Sequence, residues 1–230
     1  MTGVPVDADG HVRQILDYLG HELNPSILIG GWATFEIVGG EISKDIDLII
    51  GSDEVRSKVE QRVTDLSKSN HHQGRKWRGL VDGVHVDIYL PYESELGDSL
   101  RLKVEVLAEH AEPATSGGWQ LLSIEAHTLT KMAALLDRPD SQKGAKDAGE
   151  VLNLLRRDPD AESASAILVD ATAGPPNSIP GPLRTAFRLV AEKSGANKAE
   201  RRHLENLRRI WLEAVQSAVD TTQRQRPPLV

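Results

Sequence analysis

At 230 residues, with 39% hydrophobic content spread along its length, the chain can bury one sizeable core or two modest ones. It has no cysteine, which excludes disulfides and thiolate metal sites and fits a cytosolic protein, and no run approaches the roughly 18 apolar residues of a membrane span. A formal net charge of -7 gives no overall sign of nucleic-acid binding, although an average hides local fields.

Met1 to Gly10 lacks the basic start and apolar core of a signal peptide. Val12, Ile15, Leu16, Leu19 and Leu23 recur at helical spacing, and Pro25 ends that element. Ile27 to Ile29 reads as a short strand that stops at Gly30-Gly31, where a side chain would obstruct the backbone or a ligand. A short helix from Trp32 to Val38 closes at Gly39-Gly40, and residues 45–50 form a second strand. Period two puts Ile46, Leu48 and Ile50 on one face of it, and Asp45, Asp47 and Ile49 on the other. The two carboxylates therefore point the same way.

Residues 53–66 are predicted as a solvent-facing helix carrying Val55, Val59, Val63 and Leu66. His71, His72, Arg75, Lys76 and Arg78 make a local basic run, suited either to a nucleotide or substrate backbone or simply to solvent. Asp82-Gly83 favours a tight hairpin turn, and the returning strand, Val84 to Leu90, places His85, Asp87 and Tyr89 on its polar face. Asp87 is thus a third acid on a neighbouring strand.

Residues 91–120 admit either strand or helix: Leu102, Val104 and Val106 alternate, and Gly117-Gly118 marks a loop. From about 122 the period is helical, with helices predicted over 124–136, 141–156, 161–171, 183–193 and 197–219. Pro139 breaks the first pair, and the Gly- and Pro-rich stretch 174–182 is a loop. The fold class expected is α+β, a small mixed-sheet core over 1–118 followed by a helical part over 119–220 and a flexible tail over 221–230.

Three aspartates on adjoining strands suit Mg²⁺ or Mn²⁺, hard ions that prefer carboxylate oxygen and keep places for phosphate and water. Asp45 and Asp47 would bridge metal and triphosphate, while Asp87 would serve the metal near an attacking hydroxyl and help remove its proton. The Gly30-Gly31 turn, opening a helix, offers backbone N–H groups to phosphate.

This pattern of apolar strand, Gly30-Gly31, Asp45-Ile46-Asp47 and a later Asp87 resembles the nucleotidyltransferase superfamily related to DNA polymerase beta. Within it, Lys131 heading Lys-Met-Ala-Ala-Leu-Leu-Asp-Arg, and the Lys146-Asp147 pair, resemble segments of the AbiEii/MenT-like toxin group. The likeness covers roughly residues 26–156. Gly31 departs from the serine common there, and Gly144 is a poor helix residue, costing about 1 kcal/mol against alanine unless it lies in a first turn.

The resemblance implies a catalytic core over 1–118 that moves a nucleoside monophosphate from an NTP to an acceptor and releases pyrophosphate. It also implies an acceptor such as the 3′ end of tRNA, a role as the toxin of a toxin–antitoxin pair, and an antitoxin partner. Asp45, Asp47, Asp87, Lys131 and Asp147 are the expected catalytic residues. Lys131 would neutralise triphosphate, with Asp147 orienting it, and Arg138, Lys146 and Lys143 are further phosphate candidates. Between 180 and 219 there are eight cations and four carboxylates, a basic helical surface suited to RNA, with Trp211 either core or a stacking platform. Two other readings stand beside this one: a small-molecule nucleotidyltransferase of the antibiotic-modifying type, and a nucleotide- or RNA-binding protein without activity.

Overall fold

The alternation along residues 45–50 and 84–90 is realised in a seven-stranded mixed sheet. In the computed structural model, residues 8–68, 76–113 and 118–225 are described. The chain divides into a first unit of Met1–Glu95 with Ala108–Ser123 and a second of Leu96–Leu107 with Ile124–Val230.

The first unit runs α1 (Ala8–Glu22), β1 (Ile27–Ile29), α2 (Gly30–Val38), β2 (Ile46–Ile49), α3 (Asp53–Arg62), β3 (Thr64–Lys68), β4 (Trp77–Val81) and β5 (Val84–Tyr89). After β6 (Glu95–Leu96), β7 (Leu102–Lys103) and α4 (Val104–Ala108) come β8 (Ala111–Pro113) and β9 (Gln120–Leu122). The sheet order is β3-β4-β5-β2-β1-β9-β8. β2 lies antiparallel to β1 and parallel to β5 at the centre. Ile46, Leu48 and Ile50 from one central strand, and Val84, Val86, Ile88 and Leu90 from the next, share a core with Val12, Ile15, Leu16 and Leu19 of α1 and Val55 and Val59 of α3. The side chains of opposite parity, Asp45, Asp47 and Asp87 among them, belong to the other face.

The expected helix over 53–66 stops at Arg62 instead. Val63 is extended (φ -95°, ψ 119°), and Thr64–Lys68 becomes an edge strand antiparallel to β4. Sequence period is a poor guide here because this edge strand is mostly exposed, so its polar residues carry no alternation of burial. Gly79 of β4 has no side chain because a Cβ there would overlap Val63. Asp82 (φ 47°) and Gly83 (φ 83°) form the hairpin turn that the sequence predicts.

The second unit holds α5 (Ile124–Asp137), α6 (Gln142–Leu155), α7 (Ala161–Ala171), α8 (Pro180–Lys193) and α9 (Lys198–Gln225). It begins at Ile124 rather than 119 and takes in residues 96–107. Leu100, Leu102, Val104 and Leu107 are buried, Leu102 bridges to Thr172, and the Ala173 amide donates to the Arg101 carbonyl. The tail expected from 221 is helical through Gln225, with the Thr221 and Thr222 hydroxyls donating back to Ser217 and Ala218 carbonyls. α9 starts on a reciprocal cap: the Asn197 side chain accepts from the Ala199 and Glu200 amides, and Glu200 accepts from the Asn197 amide.

Leu48→Ala, which empties a fully buried site in the sheet, is expected to cost about 2–5 kcal/mol, whereas Asn197→Ala costs about 1 kcal/mol. Urea unfolding of each variant measures both, and equal losses would contradict this assignment of core and cap.

Candidate active site

Strand register assembles the acid row. Asp47 on β2 is paired with Asp87 on β5, Asp87 with Arg78 on β4, and Asp47 on its other side with Ile29, the last residue before the glycine pair. Asp45 stands just ahead of β2, and both Asp45 and Asp47 are half-buried. Gly30 has φ 69°, and a Cβ there would overlap the Asp47 carboxylate. Gly31 packs on Ser43, whose Cβ would lie 2.8 Å from an added methyl group. The glycines are therefore required by the acids and their loop.

Asp87 is only 3% exposed. Its Oδ2 accepts from Lys76 Nζ at 2.6 Å and from Arg78 Nη2 at 2.9 Å, and its Oδ1 accepts from Arg78 Nε at 2.6 Å. Burial pushes this carboxyl up, but the Arg78 hydrogen bonds and the charge and hydrogen bond of Lys76 outweigh it and hold the group below the usual carboxylate range. The carboxylate is thus stabilised in its charged form by two cations. Arg78 is raised by its hydrogen bond to Asp87, with further contributions from the charges of Asp87, Asp45 and Asp47.

For a divalent ion, the donor chemistry of Asp45 and Asp47 fits. Asp87 does not fit as it stands, because cationic side chains engage both of its oxygens. Among the described residues, no group of three acids or imidazoles converges closely enough to hold a metal.

The other expected site residues meet inside the second unit. Lys131 on α5 is 5% exposed and Asp147 on α6 is 2% exposed, so neither is the surface group that their residue types suggest. Lys131 Nζ lies 2.6 Å from Glu150 and 3.7 Å from Asp147. Arg138 donates to both Asp147 oxygens, at 2.7 and 3.1 Å, and Lys146 lies 3.8 Å from Glu150. The nearest partner of Lys131 is thus Glu150, while Asp147 is turned to Arg138. One turn before Lys131, His127 is fully buried, and burial, with the nearby charge of Lys131, pushes its pKa down to about 3.

Gly144 is in the first turn of α6, where its amide donates to the Ser141 cap. A Cβ would overlap the Arg138 carbonyl, which explains the glycine better than looseness does.

Of the basic run before the hairpin, His71, His72 and Arg75 lie outside the described residues; Lys76 and Arg78 are the pair on Asp87. A signal for that pairing exists in the sequence. With a two-residue turn at Asp82-Gly83, counting back along the hairpin sets Arg78 opposite Asp87. On α8 and α9, Arg188, Lys193, Arg208 and Arg209 pair with carboxylates, whereas Arg184, Lys198, Arg201 and Arg202 are exposed with no acidic partner among the described residues. Trp211 is core, packed edge-to-face on Phe187.

No protein-family model matches the chain, and no curated protein matches it. Among solved structures it is similar to a candidate nucleotidyltransferase of Thermotoga maritima, with 14% identity, TM-score 0.40, and 65% of this chain and 95% of that one covered. It is also similar to an antigenic nucleotidyltransferase-like protein of Paracoccidioides brasiliensis, with 15% identity, TM-score 0.47, and 89% and 93% covered. A third is the Thermotoga maritima CCA-adding enzyme complexed with tRNA, with 10% identity, TM-score 0.33, and 96% and 76% covered. At this distance the likenesses carry no assignment of activity.

Two outcomes test the helical cluster. Gly144→Ala, which would gain about 1 kcal/mol in an open helix, is expected to lose about 1–3 kcal/mol here, read by urea unfolding. Because the folded pKa of His127 is depressed, its contribution is fully present above about 6.5 and is lost as the pH falls toward 3, by up to about 1.4 kcal/mol per pH unit. The stability difference between wild type and His127→Phe should therefore shift in favour of the variant below pH 6.5; a pH-independent difference would refute the buried neutral imidazole.

Proposed function

We propose that the chain is a nucleotidyltransferase that moves a nucleoside monophosphate from an NTP to an acceptor, with Mg²⁺ or Mn²⁺ as cofactor. The observation carrying this reading is the register row Ile29, Asp47 and Asp87 across β1, β2 and β5, with Gly30 next in the chain after Ile29 and packed against the Asp47 carboxylate, and Asp45 two residues before Asp47. A bound divalent ion supplies positive charge at the triphosphate and the reacting oxygens.

The chain's own residues do the rest. The amides opening α2 at Gly30-Gly31 cradle phosphate. Asp45 and Asp47 are the residues that would hold a divalent cation, while Asp87 is held by Lys76 and Arg78. An acceptor oxygen bonds to the α-phosphorus as the bond to pyrophosphate breaks, and the hydroxyl proton is lost to solvent. Positioning and charge stabilisation account for the acceleration, and no covalent enzyme intermediate is required. In the second unit, Lys131, Arg138 and Lys146 are candidate phosphate contacts, oriented by Asp147 and Glu150.

The acceptor proposed is the 3′ end of tRNA, in a cytoplasmic toxin restrained by an antitoxin. The exposed Arg184, Lys198, Arg201 and Arg202 favour a phosphate backbone as part of the substrate. No described helix is long and apolar enough to cross a membrane. A second reading, a nucleotide- or RNA-binding protein without transfer, is favoured by one observation: both oxygens of Asp87 are engaged by cations.

Each NTP labelled at the α-phosphate, incubated with total RNA and Mg²⁺, tests this. Label is expected in tRNA and falls at least about 100-fold in Asp47→Ala. Label only in small molecules points to a small acceptor, and label in nothing supports the binding protein. Growth arrest on expression, relieved by a neighbouring gene product, tests the toxin role separately.

A further inference from the structure

The basic stretch of α8 and α9 carries more positive charge than its ion pairs consume. All four carboxylates between 180 and 219 are engaged: Glu192 by Arg188, Glu205 by Arg208, Glu213 by Arg209, and Glu200 by Arg156 from outside the stretch. Lys193 is held by Asp140. Arg184, Lys198, Arg201 and Arg202 are left over, each exposed and with no acidic partner among the described residues.

These four cations are not scattered. Arg184 of α8 and Arg202 of α9 line one open groove, together with Asn206, Arg209 and Gln216. Arg202 also lines the adjoining groove, with Lys198 and Arg201. The two grooves meet at Arg202 and make one track. Arg202, Asn206, Arg209, Glu213 and Gln216 recur three or four residues apart, so they share a face of α9, while Leu204, Leu207, Trp211 and Val215 are buried. At about 1.5 Å of rise per residue, Lys198 and Arg209 lie about 16 Å apart along the helix, a length that spans several backbone phosphates.

The chemistry of this face selects its partner. Among the described residues, Ile210 is the one large apolar side chain exposed on α9, so the face lacks the apolar anchor cluster of a protein interface. Phe187 and Trp211 are buried, so no aromatic platform is offered to unstacked bases. Guanidinium groups with side-chain amides between them suit phosphates and ribose hydroxyls, the groups that an RNA double helix presents along its shallow minor groove. The chain's net charge of -7 repels a polyanion on average, so an RNA drawn to this face is also oriented by it.

We propose that the α8–α9 track docks the phosphate–ribose backbone of a double-helical RNA stem, without reading bases and without needing metal or nucleotide. This rests on the proposed function in taking RNA as the substrate, and it names the part of that RNA which the helical unit holds.

The test is fluorescence anisotropy of the full-length protein with a labelled RNA hairpin ending in a 3′-deoxy nucleotide, in EDTA and without NTP, so that no transfer takes place. Arg184→Gln with Arg202→Gln is expected to bind at least about tenfold more weakly at about 0.15 M salt, and the slope of log affinity against log salt should fall by about two. Arg188→Gln with Lys193→Gln removes the same charge outside the grooves and should stay within about threefold of wild type. Unchanged binding in the first variant, or equal losses in both, overturns the proposal. The substitutions at Arg184 and Arg202 break no described ion pair, and Lys198→Gln with Arg201→Gln is a second, independent pair with the same expectation. A DNA duplex of the same sequence should bind at least about fivefold more weakly than the RNA. Equal affinity overturns the assignment to RNA, and tighter binding of poly-glutamate overturns it in favour of an acidic protein. Absence of labelled transfer, with groove-dependent binding retained, would fail the proposed function and uphold this inference.

Discussion

A carboxylate buried in the middle of a sheet has to be answered by positive charge, and the arrangement around Asp87 follows from that constraint. The strand order β4-β5-β2 places an arginine on one side of it and an aspartate on the other. Without Lys76 and Arg78, Asp87 would take up a proton or force the strand apart, because desolvation alone pushes its pKa upward. The same pairing that makes the sheet possible occupies both oxygens of Asp87.

The helical unit solves a similar problem in another way. Lys131, Asp147 and Glu150 are buried between α5 and α6, with Arg138 and Lys146 at the margin. Removing any one member leaves an opposite charge uncompensated in low dielectric, so the cluster is brittle even if its net contribution to stability is small. It also fixes the orientation of the two helices' chemistry. The glycine at 144 lets the Arg138 carbonyl approach α6, which helps set Arg138 against Asp147.

Much of the sheet was legible because one face is apolar and period two is unambiguous there. Residues 46–50 and 84–90 needed only their parity to separate core from acids. The edge strand β3 was not legible, since its residues are largely exposed and a run of charges with valines four apart also satisfies a helix. Residues 96–107 resisted assignment because their apolar side chains belong to the second unit, and local pattern cannot report a distant partner. The cap at Asn197 and the extension of α9 were readable in principle, being local hydrogen-bond chemistry.

By itself the sequence determined the acids, the glycines before them, the hairpin turn and the fold class, because spacing along a strand or around a two-residue turn is local geometry. Only tertiary structure decided what those acids face. Burial turned Lys76 from a member of a basic run into the partner of Asp87, and turned Lys131 from a surface lysine into half of an internal ion pair. Charge is written in the sequence, but its effect depends on distance and dielectric, and both are set by packing.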